Sequence, residues 1–184
     1  MNNYILYQSQ YIIDNQKQLF DDIEQAHTNF KRLFPEGNST WDYTKYNIFV
    51  LTAPSTAFYG LYKELCSLIR HHLGQGRPLW MQSWINYHRP DTVLDWHEHG
   101  YAYHGYISLD PKKTNTVFED YVIENKPGQI YLGPGTRKHK VEVLEPFDGY
   151  RTTIGFDIHT LPQSPYIRNY IERPFVDMSL VPVL

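Results

Sequence analysis

The apolar positions change their period near residue 79. Before it, Leu19, Phe20, Ile23, Phe30 and Phe34 recur at near-helical spacing and predict a helix over Asn15–Phe34, with Asp14 as N-cap and Pro35-Glu36-Gly37-Asn38 as the stop. A second stripe of Phe58, Leu61, Tyr62, Leu65, Leu68, Ile69 and His72 predicts a helix that starts after Pro54-Ser55-Thr56 and ends between Gly74 and Pro78. From Leu79 onward, short runs rich in Trp, Tyr, Val, Ile and Thr alternate with turn signals such as Arg89-Pro90-Asp91, Lys126-Pro127-Gly128 and Gly133-Pro134-Gly135. They predict strands at Trp80–Tyr87, Thr92–Trp96, Tyr103–Leu109, Val117–Ile123, Gln129–Leu132, His139–Leu144 and Arg151–Ile158. Residues 161–184 carry four prolines and no clear period, and read as a wrap over the domain or a contact with a second copy.

The expected fold class is therefore mainly β with N-terminal helices (α+β), in one domain over 1–184. Residues 1–78 form a mostly helical support, 79–160 a sandwich or barrel-like β core, and 161–184 the wrap. Composition strengthens the β reading, because 16% of residues are aromatic and such side chains favour half-buried sheet surfaces. With 17 basic and 20 acidic side chains and a net charge of −3, gripping phosphate backbones is not the expected task, so nucleic acid is not an expected partner. The basic cluster Arg137-Lys138-Lys140 reads as a solvated loop. One cysteine excludes an internal disulfide and a cysteine-only metal cage; Cys66, beside the second helical stripe, reads as a packing residue. No apolar run reaches the roughly 20 residues of a membrane helix, and the first residues lack a basic stretch followed by an apolar core. The expected location is cytoplasmic, with no membrane contact.

Of nine histidines, His27, His71, His72, His88 and His159 read as surface or hydrogen-bonded side chains. The others lie in Trp96-His97-Glu98-His99-Gly100-Tyr101-Ala102-Tyr103-His104 and Lys138-His139-Lys140. In an extended segment His97 and His99 project to one face, with Trp96 and Glu98 on the other, so two neutral nitrogen donors converge as a metal ion requires. His139, 42 residues after His97 and at the head of a predicted strand, is the candidate third ligand. Arg151 follows 12 residues later and shares a strand face with Thr153. A guanidinium beside a hydroxyl suits a planar carboxylate, which arginine holds through two parallel charge-assisted hydrogen bonds.

Together these pieces resemble the iron(II)- and 2-oxoglutarate-dependent oxygenase superfamily, whose core is a double-stranded β-helix (jelly roll). The resemblance covers Trp80 to Ile158. It rests on Trp84-Ile-Asn86, His97-x-His99, Gly105-Tyr106-Ile107, Lys126-Pro127-Gly128, His139-Lys-Val141 and Arg151-x-Thr153, in that order. The resemblance implies that His97 and His139 bind Fe(II), that Arg151 and Thr153 hold the distal carboxylate of 2-oxoglutarate, and that Asn86 touches this cosubstrate. The implied reaction takes 2-oxoglutarate, O2 and a substrate to succinate, CO2 and a hydroxylated product. The sequence departs from the pattern at His99, where most members carry the carboxylate of a two-His-one-carboxylate triad. His99 is the favoured third ligand. Asp95, on the same face by alternation, is the alternative ligand or an outer acceptor for an imidazole N–H, and Glu98 is turned away.

Two rival readings remain. A cupin would use His97, His99, His104 and His139 without 2-oxoglutarate, but gives Arg151 and Thr153 no task. A non-catalytic jelly-roll binding module would hold a metal inertly, although a structural zinc closes with four protein ligands. The substrate is not legible: Trp80, Trp84, Tyr101, Tyr103, Tyr106 and Tyr131 could line a pocket or form the sheet's core. A small molecule or a peptidyl residue is expected, and the tail hints at a homodimer.

Overall fold

A computed structural model describes residues 3–33, 46–160 and 180–184. The expected helix stop at 35–38 and residues 161–179 of the expected wrap lie outside the described residues. The chain groups into two compact units, Met1–Ile13 with Ile85–Asp157, and Asp14–Trp84 with Ile158–Leu184.

The second of these contains most of the helices. Helix α1 (Gln10–Asp14) begins where Ser9 Oγ accepts the Ile12 N–H at 3.1 Å, and Asp14 closes it instead of capping the next helix. Helix α2 (Gln16–Leu33) buries Leu19, Ile23, Ala26 and Phe30, one stripe at helical spacing. The short α3 (Ile48–Leu51) was not legible in the sequence. Asn47 opens it, accepting the Phe49 N–H at 3.0 Å and the Ser83 hydroxyl at 2.7 Å while donating to Met81 O at 3.0 Å. Helix α4 (Thr56–Leu73) is capped by Ser55, which accepts the Phe58 N–H, and it ends at Gly74, whose φ of 87° suits glycine. It buries Phe58, Leu61, Leu65, Cys66 and Ile69, as its stripe requires. Burial pushes the Cys66 thiol up, away from the range of a nucleophile.

The other unit includes most of α1 and is otherwise β. Its strands are β1 (Ile5–Gln8), the later residues of β2 (Trp80–His88), β3 (Tyr103–Asp110), β4 (Thr114–Phe118), β5 (Val122–Glu124), β6 (Gln129–Pro134), β7 (His139–Val143) and most of β8 (Arg151–His159). One sheet runs β1-β6-β3-β8-β2, extended by β9 (Leu180–Pro182) on Trp80–Gln82; the second runs β5-β4-β7. In β3, a Cβ on Gly105 would lie 2.2 Å from the Phe156 ring and 2.4 Å from the Tyr131 carbonyl, so only glycine fits there.

Two strand expectations need correction. Val117–Ile123 is a hairpin, not one strand: Glu119-Asp120-Tyr121 make the turn, closed by Phe118 N–H to Tyr121 O at 2.8 Å, with Val117 facing Val122. Thr92–Trp96 forms no regular strand, because local hydrogen bonds take over its backbone. The Thr92 hydroxyl accepts the Arg89 N–H at 2.8 Å, and the Asp95 carboxylate accepts the Trp96 N–H at 2.8 Å. Only Leu94 and His97 retain ladder bonds, both to β7.

Candidate metal centre

His97 and His139 face each other across an isolated antiparallel bridge. The His97 N–H donates to His139 O at 3.0 Å and the His139 N–H to His97 O at 2.9 Å. Directly opposed residues point to the same face, so the two rings meet at 4.3 Å between centroids. His99 is set by a further bond, from its N–H to Gly135 O at 2.9 Å. Gly135 permits this approach: a Cβ there would lie 2.2 Å from Tyr101 O. The third ring then stands 5.4 Å from His97 and 5.5 Å from His139, and the three offer ligand nitrogens that all lie within 4.8 Å of one another.

The hydrogen bonds of the rings decide which nitrogens are available. His97 Nδ1 lies 2.7 Å from Asp95 O, and His139 Nδ1 lies 3.0 Å from Arg137 O, each a carbonyl two residues earlier. Carbonyl oxygens only accept, so both Nδ1 atoms carry the proton and both Nε2 atoms present a lone pair. His99 Nδ1 lies 3.2 Å from Asp157 Oδ2, a carboxylate oxygen that accepts the Nδ1 proton. Burial pushes His97 below its ordinary pKa, and burial with the nearby His104 pushes His139 down to about 2. His97 and His139 thus offer neutral imidazole donors, and His99 brings a third ring nitrogen within reach, a donor set that fits a divalent transition metal.

A buried carboxylate stands behind this set. Asp157 accepts from His99 Nδ1 and, at 3.0 Å, from His104 Nδ1. The His99 and His104 rings stack at 3.6 Å and 12°. Burial alone would push the Asp157 carboxyl up, but the two imidazole donors outweigh it and hold it at about 2. Burial pushes His104 down to about 4.

Arg151 supplies the other half of the site. It is 3% exposed, and burial lowers its pKa to about 10. Its hydrogen-bond partners are two hydroxyls, Thr114 Oγ1 at 3.4 Å from Nε and Thr153 Oγ1 at 3.3 Å from Nη1; among the described residues no acid pairs with it. Thr114 is saturated, since it also accepts from Asn125 at 3.1 Å and donates to Pro111 O at 2.7 Å. Thr153 accepts from Arg151 and, at 3.2 Å, from Asn86 Nδ2, which leaves its own proton available to a bound acceptor. A buried cation beside a spare hydroxyl donor is a cradle for an anion of carboxylate geometry. His88, on the same face of β2 as Asn86, is charge-coupled to both Arg151 and His97, and burial pushes it down to about 4.

The structure thus brings His97, His99 and His139 into one cluster, and Asn86, Arg151 and Thr153 into another. Asp95 meets His97 through its main-chain carbonyl, while its carboxylate serves the Trp96 N–H. His104 groups with His99 and Asp157. Sequence reasoning missed Asp157 and dismissed His88. The signal for Asp157 was present, because the alternation that pairs Arg151 with Thr153 continues through Gly155 to Asp157 on the same face of β8.

No protein-family model matches the chain, and no curated protein does. Among solved structures, the chain resembles SnoK, a non-haem α-ketoglutarate-dependent carbocyclase from nogalamycin biosynthesis, at 10% identity and a TM-score of 0.59 over 91% of this chain and 86% of that one. It also resembles the epimerase SnoN, solved with Fe3+, α-ketoglutarate and nogalamycin RO, at 9% identity and a TM-score of 0.52 over 86% of this chain and 79% of that one. It spans 60% of the length of a 2OG-Fe(II) oxygenase family oxidoreductase from Burkholderia pseudomallei, with 13% identity and a TM-score of 0.49 over 59% of this chain. At these identities the likeness is one of fold: the chain folds as the α-ketoglutarate-dependent non-haem enzymes do. Among the described residues no helix is long and apolar enough to cross a membrane.

Proposed function

We propose that the protein is a non-haem Fe(II)- and 2-oxoglutarate-dependent oxygenase built on a double-stranded β-helix. The topology supports that core. From β2 the chain passes to the segment at His97 beside β7, back to β3, out to β4 and β5, back to β6, out to β7 and back to β8. Apart from the β4–β5 hairpin, successive segments alternate between the two sheets. The observation that carries the reading is the coexistence of three inward-facing imidazoles with a buried guanidinium that pairs with no acid among the described residues.

In this reading His97, His99 and His139 hold iron through Nε2. Arg151 and Thr153 grip the distal carboxylate of 2-oxoglutarate, and Asn86 orients Thr153 through the hydroxyl it shares with Arg151. The bound metal would couple oxidative decarboxylation of the keto acid to hydroxylation, taking 2-oxoglutarate, O2 and R–H to succinate, CO2 and R–OH. The chain's own residues supply binding, orientation and a water-poor wall in which the Arg151 charge acts at low dielectric. The substrate class is a small molecule or a peptidyl residue. The cupin reading is less well supported, since it leaves the buried Arg151 without a role.

The test is calorimetric binding of 2-oxoglutarate to the Co(II)-loaded protein. The expected result is one site per chain, weakened about 100-fold by Arg151→Met, as loss of one partner of a buried charge pair implies. 2-Oxobutyrate, which lacks the distal carboxylate, should bind both proteins alike. Equal 2-oxoglutarate affinity in the two proteins would contradict the reading.

A further inference from the structure

The three-imidazole set leaves a divalent ion one charge unit more positive than a set with two imidazoles and a carboxylate. The negative charge is not absent from the site; it is set back by one residue. Asp157 is 1% exposed, and both its oxygens lie close to His99 Nδ1, Oδ1 at 3.1 Å and Oδ2 at 3.2 Å. His99 is the imidazole that occupies the carboxylate's place in the sequence pattern. Resting on the metal reading above, we infer that Asp157 is a positioning residue that acts through His99, supplying from behind the imidazole the charge that the ligand set lacks.

The chemistry follows from the acceptor. A carboxylate takes hydrogen bonds and gives none, so it fixes the Nδ1 proton on His99 and turns the Nε2 lone pair to the metal. It also draws that proton towards itself, which makes Nε2 more basic and lends the ring part of an anionic ligand's character. His97 and His139 have weaker backing, from neutral carbonyls at 2.7 and 3.0 Å, so the asymmetry is specific to His99. His104 shares the carboxylate and stacks flat on His99, which holds the His99 ring in plane and claims the remaining lone pair on Oδ1.

The experiment compares Co(II) affinity in the wild type, Asp157→Asn, His99→Asp and the double variant, with 15N NMR of the histidine tautomers in the metal-free wild type. The expected results are a 10- to 100-fold loss of affinity in Asp157→Asn, within the range of outer-shell substitutions, and Nδ1–H signals for His99 and His104. In the His99→Asp background, where the carboxylate binds the metal directly, Asp157→Asn should cost less than about threefold, a coupling that a merely structural role does not produce. Should Asp157→Asn fail to fold, the wild-type tautomers still decide. An Nδ1 without its proton on His99, equal loss in both backgrounds, or two Asp157-dependent metal ions per chain would overturn the inference. A wild type that binds no Co(II) would instead remove the metal reading on which it rests.

Discussion

His97 and His139, 42 residues apart, exchange both backbone hydrogen bonds, at 3.0 and 2.9 Å, and so present their imidazoles side by side from adjacent backbones. Because the pairing is made by main-chain atoms, it survives loss of either side chain. His97→Ala or His139→Ala should therefore keep the native far-UV circular dichroism while Co(II) affinity falls by more than about 100-fold, beyond the loss typical of outer-shell changes. Retained affinity in either variant would place the metal elsewhere.

Arg151 is a charge held in the protein's interior by hydroxyls alone among the described residues. Replacing a whole buried ion pair by apolar side chains is often neutral or stabilising, by about 1–4 kcal/mol, and a buried charge without an acid partner has no such attraction to lose. Arg151→Met should raise the thermal midpoint of the ligand-free protein by several degrees, since about 1 kcal/mol moves a chain of this size by roughly 2–4 °C. The same variant should bind 2-oxoglutarate about 100-fold more weakly. A lowered midpoint would mean that the guanidinium contributes to the fold instead of costing it stability.

His88, His104 and His139 are held down by burial, to about 4, about 4 and about 2. In the unfolded chain these groups take up protons near pH 6.5, whereas the folded metal-free protein leaves them neutral. The unfolded state thus binds more protons between pH 6.5 and about 4, and stability falls as pH falls, by up to about 1.4 kcal/mol per unit for each group. Asp157, held at about 2, adds a loss of the same sign below pH 4. Urea midpoints of metal-free protein at pH 7.5, 6.5, 5.5 and 5 should decline steadily below 6.5, and a flat series would contradict the burial of these imidazoles.

Gly135→Ala should weaken the metal site without touching a ligand. The added methyl meets a backbone carbonyl, Tyr101 O, at 2.2 Å, so the segment that carries His99 must move away from the turn. Co(II) affinity should drop at least 10-fold, with a stability loss of roughly 1–3 kcal/mol typical of overpacking. Unchanged affinity in the folded variant would show that Gly135 does not set His99.

The long helices and most strands were legible because their apolar periods are sustained over many residues, as in the Phe58 to Ile69 stripe of α4. Short elements were not: α3 depends on Asn47 reaching Met81 and Ser83, and β1 on pairing with β6, and neither signal is local. The segment from Thr92 to Trp96 looked like a strand by composition, yet Thr92 and Asp95 satisfy backbone groups locally and bend it. The juxtaposition of three histidines could be read from His97-x-His99 and a distal histidine. Asp157 was overlooked because an acidic residue in an apolar strand draws notice only when the face it shares with Arg151 is followed to its end. The stack of His104 on His99 is not legible in the sequence, because no spacing reveals it.

The most direct test of the central claim is anaerobic titration of the Fe(II)-loaded protein with 2-oxoglutarate, followed by visible absorption, beside Arg151→Met. The account predicts a metal-to-ligand charge-transfer band that saturates at one equivalent in the wild type and needs far more cosubstrate in the variant. Iron bound with no band, or a band indifferent to Arg151, would contradict it.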